Sequence, residues 1–149
     1  MEFIIRKGEE RDLPEVLDLI KELAEYEKMP DQVDNTVEMM REHGFGKNPI
    51  FDFEIAEKAG KIIGCAIYYT KYSTWKGKKL YLEDLIVTES ERGKMVGKAL
   101  FEKCLKITKD GGYHSMLWQV IDWNEPAINF YKKYDTEFTS VWIDCSVDV

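Results

Sequence analysis

Residues 81–105 read Tyr81-Leu82-Glu83-Asp84-Leu85-Ile86-Val87-Thr88-Glu89-Ser90-Glu91-Arg92-Gly93-Lys94-Met95-Val96-Gly97-Lys98-Ala99-Leu100-Phe101-Glu102-Lys103-Cys104-Leu105. The first seven are strand formers interrupted only by two adjacent carboxylates. Thr88 to Glu91 turn the chain. After Arg92-Gly93-Lys94-Met95-Val96-Gly97, the residues Val96, Leu100, Phe101, Cys104 and Ile107 recur at helical spacing, so the stretch reads strand, short basic loop, helix. Amides at a helix start have no intrahelical acceptor and lie at the positive end of the dipole, so a loop entering there can wrap a cluster of anionic oxygens. Arg92, Lys94 and Lys98 add positive charge. Two glycines separated by three residues also suit an ordinary strand-to-helix turn with a solvated basic rim, and the loop alone does not decide between the two.

On the amino-terminal side, Phe3, Ile4 and Ile5 form a first strand. Asp12 with Glu15 three residues on fits a capping box, and Leu13, Val16, Leu17, Ile20, Leu23 and Ala24 share one helical face that ends near Tyr26-Glu27-Lys28-Met29-Pro30. A more polar helix is predicted over Thr36 to Glu42, closed by Gly44 or Gly46 in a left-handed cap, with His43 as a helix-end residue. Phe51, Phe53 and Ile55 alternate, Lys58-Ala59-Gly60-Lys61 turns, and Ile62 to Tyr69 returns as the near-continuous apolar second strand of a hairpin, which the neighbouring Tyr81–Val87 strand extends into an antiparallel sheet. Thr70 to Lys79 reads as a polar loop in which Trp75 either caps the core or forms a wall for an alkylammonium chain through cation–π contact.

On the carboxyl-terminal side, Lys109-Asp110-Gly111-Gly112 stops the helix and His114 to Ile121 reads as a central strand. Asn124 caps a short helix with Pro126 in its first turn. Phe138 to Val149 reads as a closing strand because Val141, Ile143, Cys145 and Val147 alternate.

A chain of 149 residues with 44% hydrophobic side chains fits one domain spanning residues 1–149. Three cysteines, Cys65, Cys104 and Cys145, read as small buried hydrophobes in a reducing compartment, and two histidines are too few to suggest a metal cluster. No apolar run approaches the roughly 20 residues of a membrane helix, and no signal-peptide pattern opens the chain, so the expected location is cytoplasmic. The net charge of −7 argues against nucleic acid as a partner and suits a cationic substrate, though solubility alone also explains it.

Tyr81-Leu82-Glu83-Asp84, the Arg92-Gly93 loop, Trp123-Asn124-Glu125-Pro126 and Asn129-Phe130-Tyr131 together resemble the diamine acetyltransferase branch of the GNAT superfamily, which are acetyl-CoA-dependent N-acetyltransferases. The resemblance runs from Ile5-Arg6 to about Lys133. Within that branch, Tyr72-Ser73-Thr74-Trp75-Lys76-Gly77 is more similar to the thialysine-acetylating enzymes than to the strict spermidine/spermine enzymes, which usually carry an acid where Ser73 stands. The chain departs at Met95, which replaces the middle glycine of Arg-Gly-x-Gly-x-Gly, and at Tyr134-Asp135-Thr136, where relatives have Leu-Gly-Ala or Arg-Gly-Ala.

The resemblance implies an α/β (α+β) fold, a mixed and mostly antiparallel sheet of six to seven strands with about four helices. It implies acetyl-CoA as cofactor, no metal, a small cationic amine as substrate and a homodimer. Leu85, Ile86 and Val87 would pair with pantetheine amides, and Arg92, Gly93, Lys94, Met95, Val96, Gly97 and Lys98 would take the pyrophosphate. Asn124, Ala127 and Tyr131 would also contact the cofactor. Tyr26, Glu27, Trp75, Glu83 and Asp84 would face the amine, although Tyr26 and Glu27 fit an exposed helix end equally well.

The chemistry needs a proton acceptor, because an alkylamine with a pKa near 10.4 is mostly charged at neutral pH, and a proton donor for the departing thiolate. Glu83 is the candidate base and Tyr131 the candidate acid. Alternation along a strand predicts that Glu83 and Asp84 do not both enter one pocket, so one would serve the amine and the other would be structural. A noncatalytic acyl-CoA-binding domain and a protein-lysine acetyltransferase are the competing readings.

Overall fold

A computed structural model of the chain describes residues 2–149. The chain divides into two units, Met1–Gln119 and Val120–Val149, each taken by itself. In the first, β1 (Ile4–Lys7), α1 (Leu13–Tyr26), α2 (Val37–Phe45), β2 (Asp52–Lys58), β3 (Lys61–Ser73), β4 (Gly77–Val87), α3 (Val96–Asp110) and β5 (Met116–Leu117) follow in that order. The second unit carries α4 (Glu125–Tyr131).

The sheet has five strands in the order β1-β2-β3-β4-β5, antiparallel except where β5 runs parallel to β4. Five strands correct the expected six to seven, and the difference lies in the last residues. Residues 138–149 carry no strand, and Val141, Ile143, Val147 and Cys145 are exposed. Alternation supplies an apolar face, but a strand also needs a neighbouring edge for its N–H and C=O groups, and no ladder takes up those of this segment among the described residues. The expected central strand His114–Ile121 is also reduced, to the two residues of β5 at the sheet edge.

Local chemistry explains most element ends. Thr36 caps α2 by accepting from the Met39 amide at 3.1 Å. The β2–β3 hairpin turns through Ala59 and Gly60, both with positive φ, as a twisted two-residue turn requires. No left-handed glycine closes α2, because Gly44 lies inside the helix and Gly46 has φ −79°. The capping box sits one turn earlier than Asp12–Glu15: Asp12 accepts from the Glu9 amide at 2.8 Å as the partner of Glu9. Glu15 instead accepts from the Ile62 amide at 3.4 Å. The segment 70–79 is no loop either, since the β3–β4 pairing continues to Ser73↔Gly77. Trp75 is left at the hairpin tip, 82% exposed.

The sheet separates two apolar layers. Phe53, Ile55, Cys65, Ile67 and Ile86 pack with Leu13, Val16 and Leu17 of α1 and Met40 of α2. On the other face, Val96 and Leu100 of α3 close over Gly64, where a Cβ would lie 2.7 Å from the Ile86 carbonyl oxygen. At the start of α1, Arg6 forks onto the buried Asp12 at 2.8 and 2.9 Å and reaches Glu57 at 2.8 Å, tying β1, α1 and β2 together.

The Arg6 guanidinium holds the Asp12 carboxyl below its ordinary range. A lowered carboxyl contributes stability that is present above the unfolded pKa and is lost as pH falls through the folded one. Asp12→Ala leaves Arg6 without its two-pronged partner and is expected to cost about 3 kcal/mol, read as a lower midpoint in urea denaturation at pH 7.

Candidate active site

The β4 register decides what the two adjacent acids do. Ile67 of β3 faces Asp84 and the next residue, Tyr68, faces Leu82, so Glu83 is the extra residue of a β-bulge. Residues paired directly across a sheet share a face. Asp84 therefore lies on the α1 side with Ile67, and Tyr81 lies on that side with Tyr69. The strict alternation that would send Glu83 and Asp84 to opposite faces does not hold across a bulge.

The electrostatics agree with the register. Asp84 is half-buried, and its carboxyl is pushed up to about 7, first by burial, then by Glu83 and Glu27. Glu27, the residue that ends α1, is raised by burial. The Tyr69 phenol is raised by burial and then by Glu83. Asp84 thus feels two carboxylates and Tyr69 feels one, and no Lys or Arg contributes to these shifts. Such a site favours an incoming cation, which would relieve the mutual repulsion. Tyr26, 38% exposed, holds its ring against Arg92 at 4.9 Å from the guanidinium carbon.

The basic loop follows directly. Beyond Leu80↔Met116 and Tyr81↔Leu117, β4 continues through Leu85, Ile86 and Val87 with no β5 partner among the described residues. Gly93 (φ 77°) and Met95 (φ 73°) both take the left-handed conformation before α3 begins at Val96. The first α3 amide with a backbone acceptor at this end is Ala99, on Met95 O at 3.1 Å. The loop's side-chain charges are already paired: Arg92 with Glu22 at 3.6 Å, Lys94 with Glu91 at 3.6 Å and Lys98 with Glu102 at 3.3 Å.

In the carboxyl-terminal unit, Asn124 caps α4 by accepting from the Ala127 amide at 3.3 Å, with Pro126 in the first turn. Tyr131 ends that helix with its ring edge-on to Phe130 at 5.4 Å, and its carbonyl accepts from the Thr136 hydroxyl at 2.7 Å. Among the described residues, no group of three or more His, Cys, Asp and Glu is placed to hold a metal ion, and no helix is long and apolar enough to cross a membrane.

The model of the Acetyltransferase (GNAT) family matches residues 13–135. The chain belongs to the GNAT acetyltransferase family. It is 38% identical over 137 residues to thialysine N-epsilon-acetyltransferase of Bos taurus, covering 87% of this chain and 81% of the relative. It is 40% identical over 136 residues to the human spermidine/spermine N(1)-acetyltransferase-like protein 1, covering 87% of this chain and 20% of that longer protein. Among solved structures, an aminoglycoside acetyltransferase from an uncultured soil metagenomic sample superposes with a TM-score of 0.82 at 20% identity, over 99% of this chain and 97% of that one, a likeness of fold.

As a GNAT N-acetyltransferase, the chain keeps the family's strand, loop and helix while placing a methionine where the loop must turn left-handed. A non-glycine residue there costs about 1–2 kcal/mol, against roughly 0.5–1 kcal/mol of unfolded-chain entropy that glycine would add. Met95→Gly is therefore expected to raise stability slightly. Met95→Ile, β-branched in the same conformation, is expected to lower it clearly. Thermal melts of the two variants beside the parent check both signs. Sequence reasoning did not single out Tyr69 or Glu22, since an apolar strand and a solvated helix face carry no motif.

Proposed function

We propose that this chain transfers acetyl from acetyl-CoA to the primary amine of a small cationic acceptor of thialysine or polyamine type. The observation that carries the reading is the convergence of Glu27, Glu83 and the half-buried Asp84 in a GNAT chain. A domain that only bound an acyl thioester would have no use for carboxylates held at the cost of their desolvation.

The loop fits a pyrophosphate. A Cβ at Gly93 would meet nothing within 4 Å, and one at Gly97 nothing nearer than 3.6 Å, so the protein leaves both positions open beside the unpaired amides of α3. Acetyl-CoA supplies the activated acyl carbon. Glu83 and Glu27 hold the acceptor's ammonium, and Asp84, poised near neutrality, takes its proton. The amine lone pair would then form the new C–N bond as the C–S bond breaks, Tyr131 Oη would give its proton to the departing sulfur, and the second proton shed by the acylated nitrogen would restore the Tyr131 phenol through solvent.

The acceptor's far end has a candidate seat. A cavity of about 370 Å³ is lined by Asn35, Met40, His43, Ile50, Phe51, Tyr69 and Thr70, and Tyr69 links it to Glu83. Its lining contains no carboxylate, which favours a thialysine-like acceptor with a net-neutral far end over a diamine. Gly77, which begins β4 two residues after Trp75, stands about 20 Å along the strand from Glu83, so Trp75 would wall an amine pocket only in a second copy of the chain. If it does, light scattering finds a dimer and Trp75→Ala raises the amine KM; a fully active monomer removes Trp75 from the site.

The direct test is thiol release from acetyl-CoA over thialysine, lysine, putrescine, spermidine and a lysine peptide. Thialysine is expected to give the highest kcat/KM. An Asp84 base must be ionised, so kcat/KM should rise with pH through about 7 and Asp84→Asn should abolish that limb. Glu83→Gln should chiefly raise the amine KM, and Tyr131→Phe should lower kcat by about 10²-fold or more. Acetyl-CoA binding without thiol release from any amine would sink the proposal in favour of a noncatalytic binding domain.

A further inference from the structure

We propose that Glu22 is the positioning residue of the cofactor loop, holding it at the angle that presents its amides. This rests on the function proposed above for that loop. Glu22 lies on α1, one turn before Tyr26. Its carboxylate accepts from the Thr88 hydroxyl at 2.9 Å and from the Glu89 amide at 3.0 Å, and it pairs with Arg92 at 3.6 Å. Arg92 in turn donates from Nε to the Val87 carbonyl at 3.0 Å and lies over the Tyr26 ring. The Thr88 amide is fixed separately, on the Ile63 carbonyl at 2.9 Å.

The chain from Val87 to Arg92 is thus fastened to α1 and β3 immediately before Gly93. Beyond that point the chain passes through two left-handed residues, and Gly93, Lys94 and Met95 are exposed. The direction in which the following amides point is therefore inherited from the fastened segment. A carboxylate suits the task because it accepts from several donors at once and carries the charge that matches Arg92. Arg92 acts within this arrangement as a strut, its guanidinium shared among Val87, Glu22 and Tyr26. The same helix ends in Glu27, so one rigid element sets the loop relative to the acid cluster.

The test has two readouts. In the ligand-free protein, Glu22→Ala should speed hydrogen exchange of the bonded amides of Glu89, Glu91 and Arg92 by about tenfold or more, the loss expected for a hydrogen bond to a charged group, while β2 and β3 exchange as before. In turnover, the acetyl-CoA KM should rise by about tenfold with kcat and the amine KM within about twofold, and Glu22→Gln, which keeps an acceptor oxygen but not the charge, should fall between. Unchanged exchange at Glu89, Glu91 and Arg92 in Glu22→Ala overturns the proposal, as does a loss of kcat in step with the rise in KM. Should the parent turn over no amine, the exchange experiment still decides the role of Glu22, while the function proposed above fails separately.

Discussion

One extra residue in β4 sets which of its side chains share the α1 face of the sheet. With Glu83 inserted opposite the Ile67–Tyr68 step, every β4 residue beyond it moves to the other face of the sheet relative to Tyr81. Ile86 thereby joins the α1-side core, 1% exposed, and Asp84 arrives on the same side. Without the bulge, keeping Tyr81 beside Tyr69 would turn Ile86 toward α3 and Asp84 away from Glu27. The placement of an acid in the site and of an isoleucine in the core are thus one event, and stable packing of Ile86 holds the acid in place.

The second element that matters is α1, which works as a bracket. Its beginning is fixed by the Arg6–Asp12–Glu57 network and its middle by Leu13, Val16 and Leu17 in the core. Its end carries Glu22 against the loop and Glu27 against the acid cluster. A helix held so firmly at one end transmits that rigidity to the other, because its side chains cannot shift independently of the backbone that bears them. The exposed ion pairs around the site, such as Lys98–Glu102, contribute little to this and mainly set the local potential.

How much of this was legible in the sequence varies with how local the cause is. The strand, loop and helix of residues 81–105, the Thr36-capped helix, the Ala59-Gly60 turn, the stop at Gly111-Gly112 and the Asn124 cap are all written in neighbouring residues, and all appear. The features that were not legible depend on a partner distant in sequence. The bulge is a relation between β3 and β4, and neither strand announces it alone. The Thr70–Lys79 hairpin looked like a loop because its polar residues face water on both sides, where pairing and not burial holds the strands. Phe138–Val149 shows the reverse, a strand-like alternation that no ladder takes up. The pairing of Glu22 with Thr88 spans 66 residues and leaves no trace in local pattern.

The acid cluster also explains why the site tolerates so unfavourable an arrangement. Three carboxylates near one another cannot all stay ionised at low cost, and the one most buried, Asp84, is the one whose proton affinity rises. Near neutrality it therefore spends part of its time protonated, which limits the repulsion in the empty site. In the reaction proposed for this chain, an alkylammonium entering beside it would favour ionised Asp84, the form able to accept a proton. The same group could not do this from a solvated strand edge, where its pKa would lie near 4 and it would hold a proton too weakly to compete for one at neutral pH.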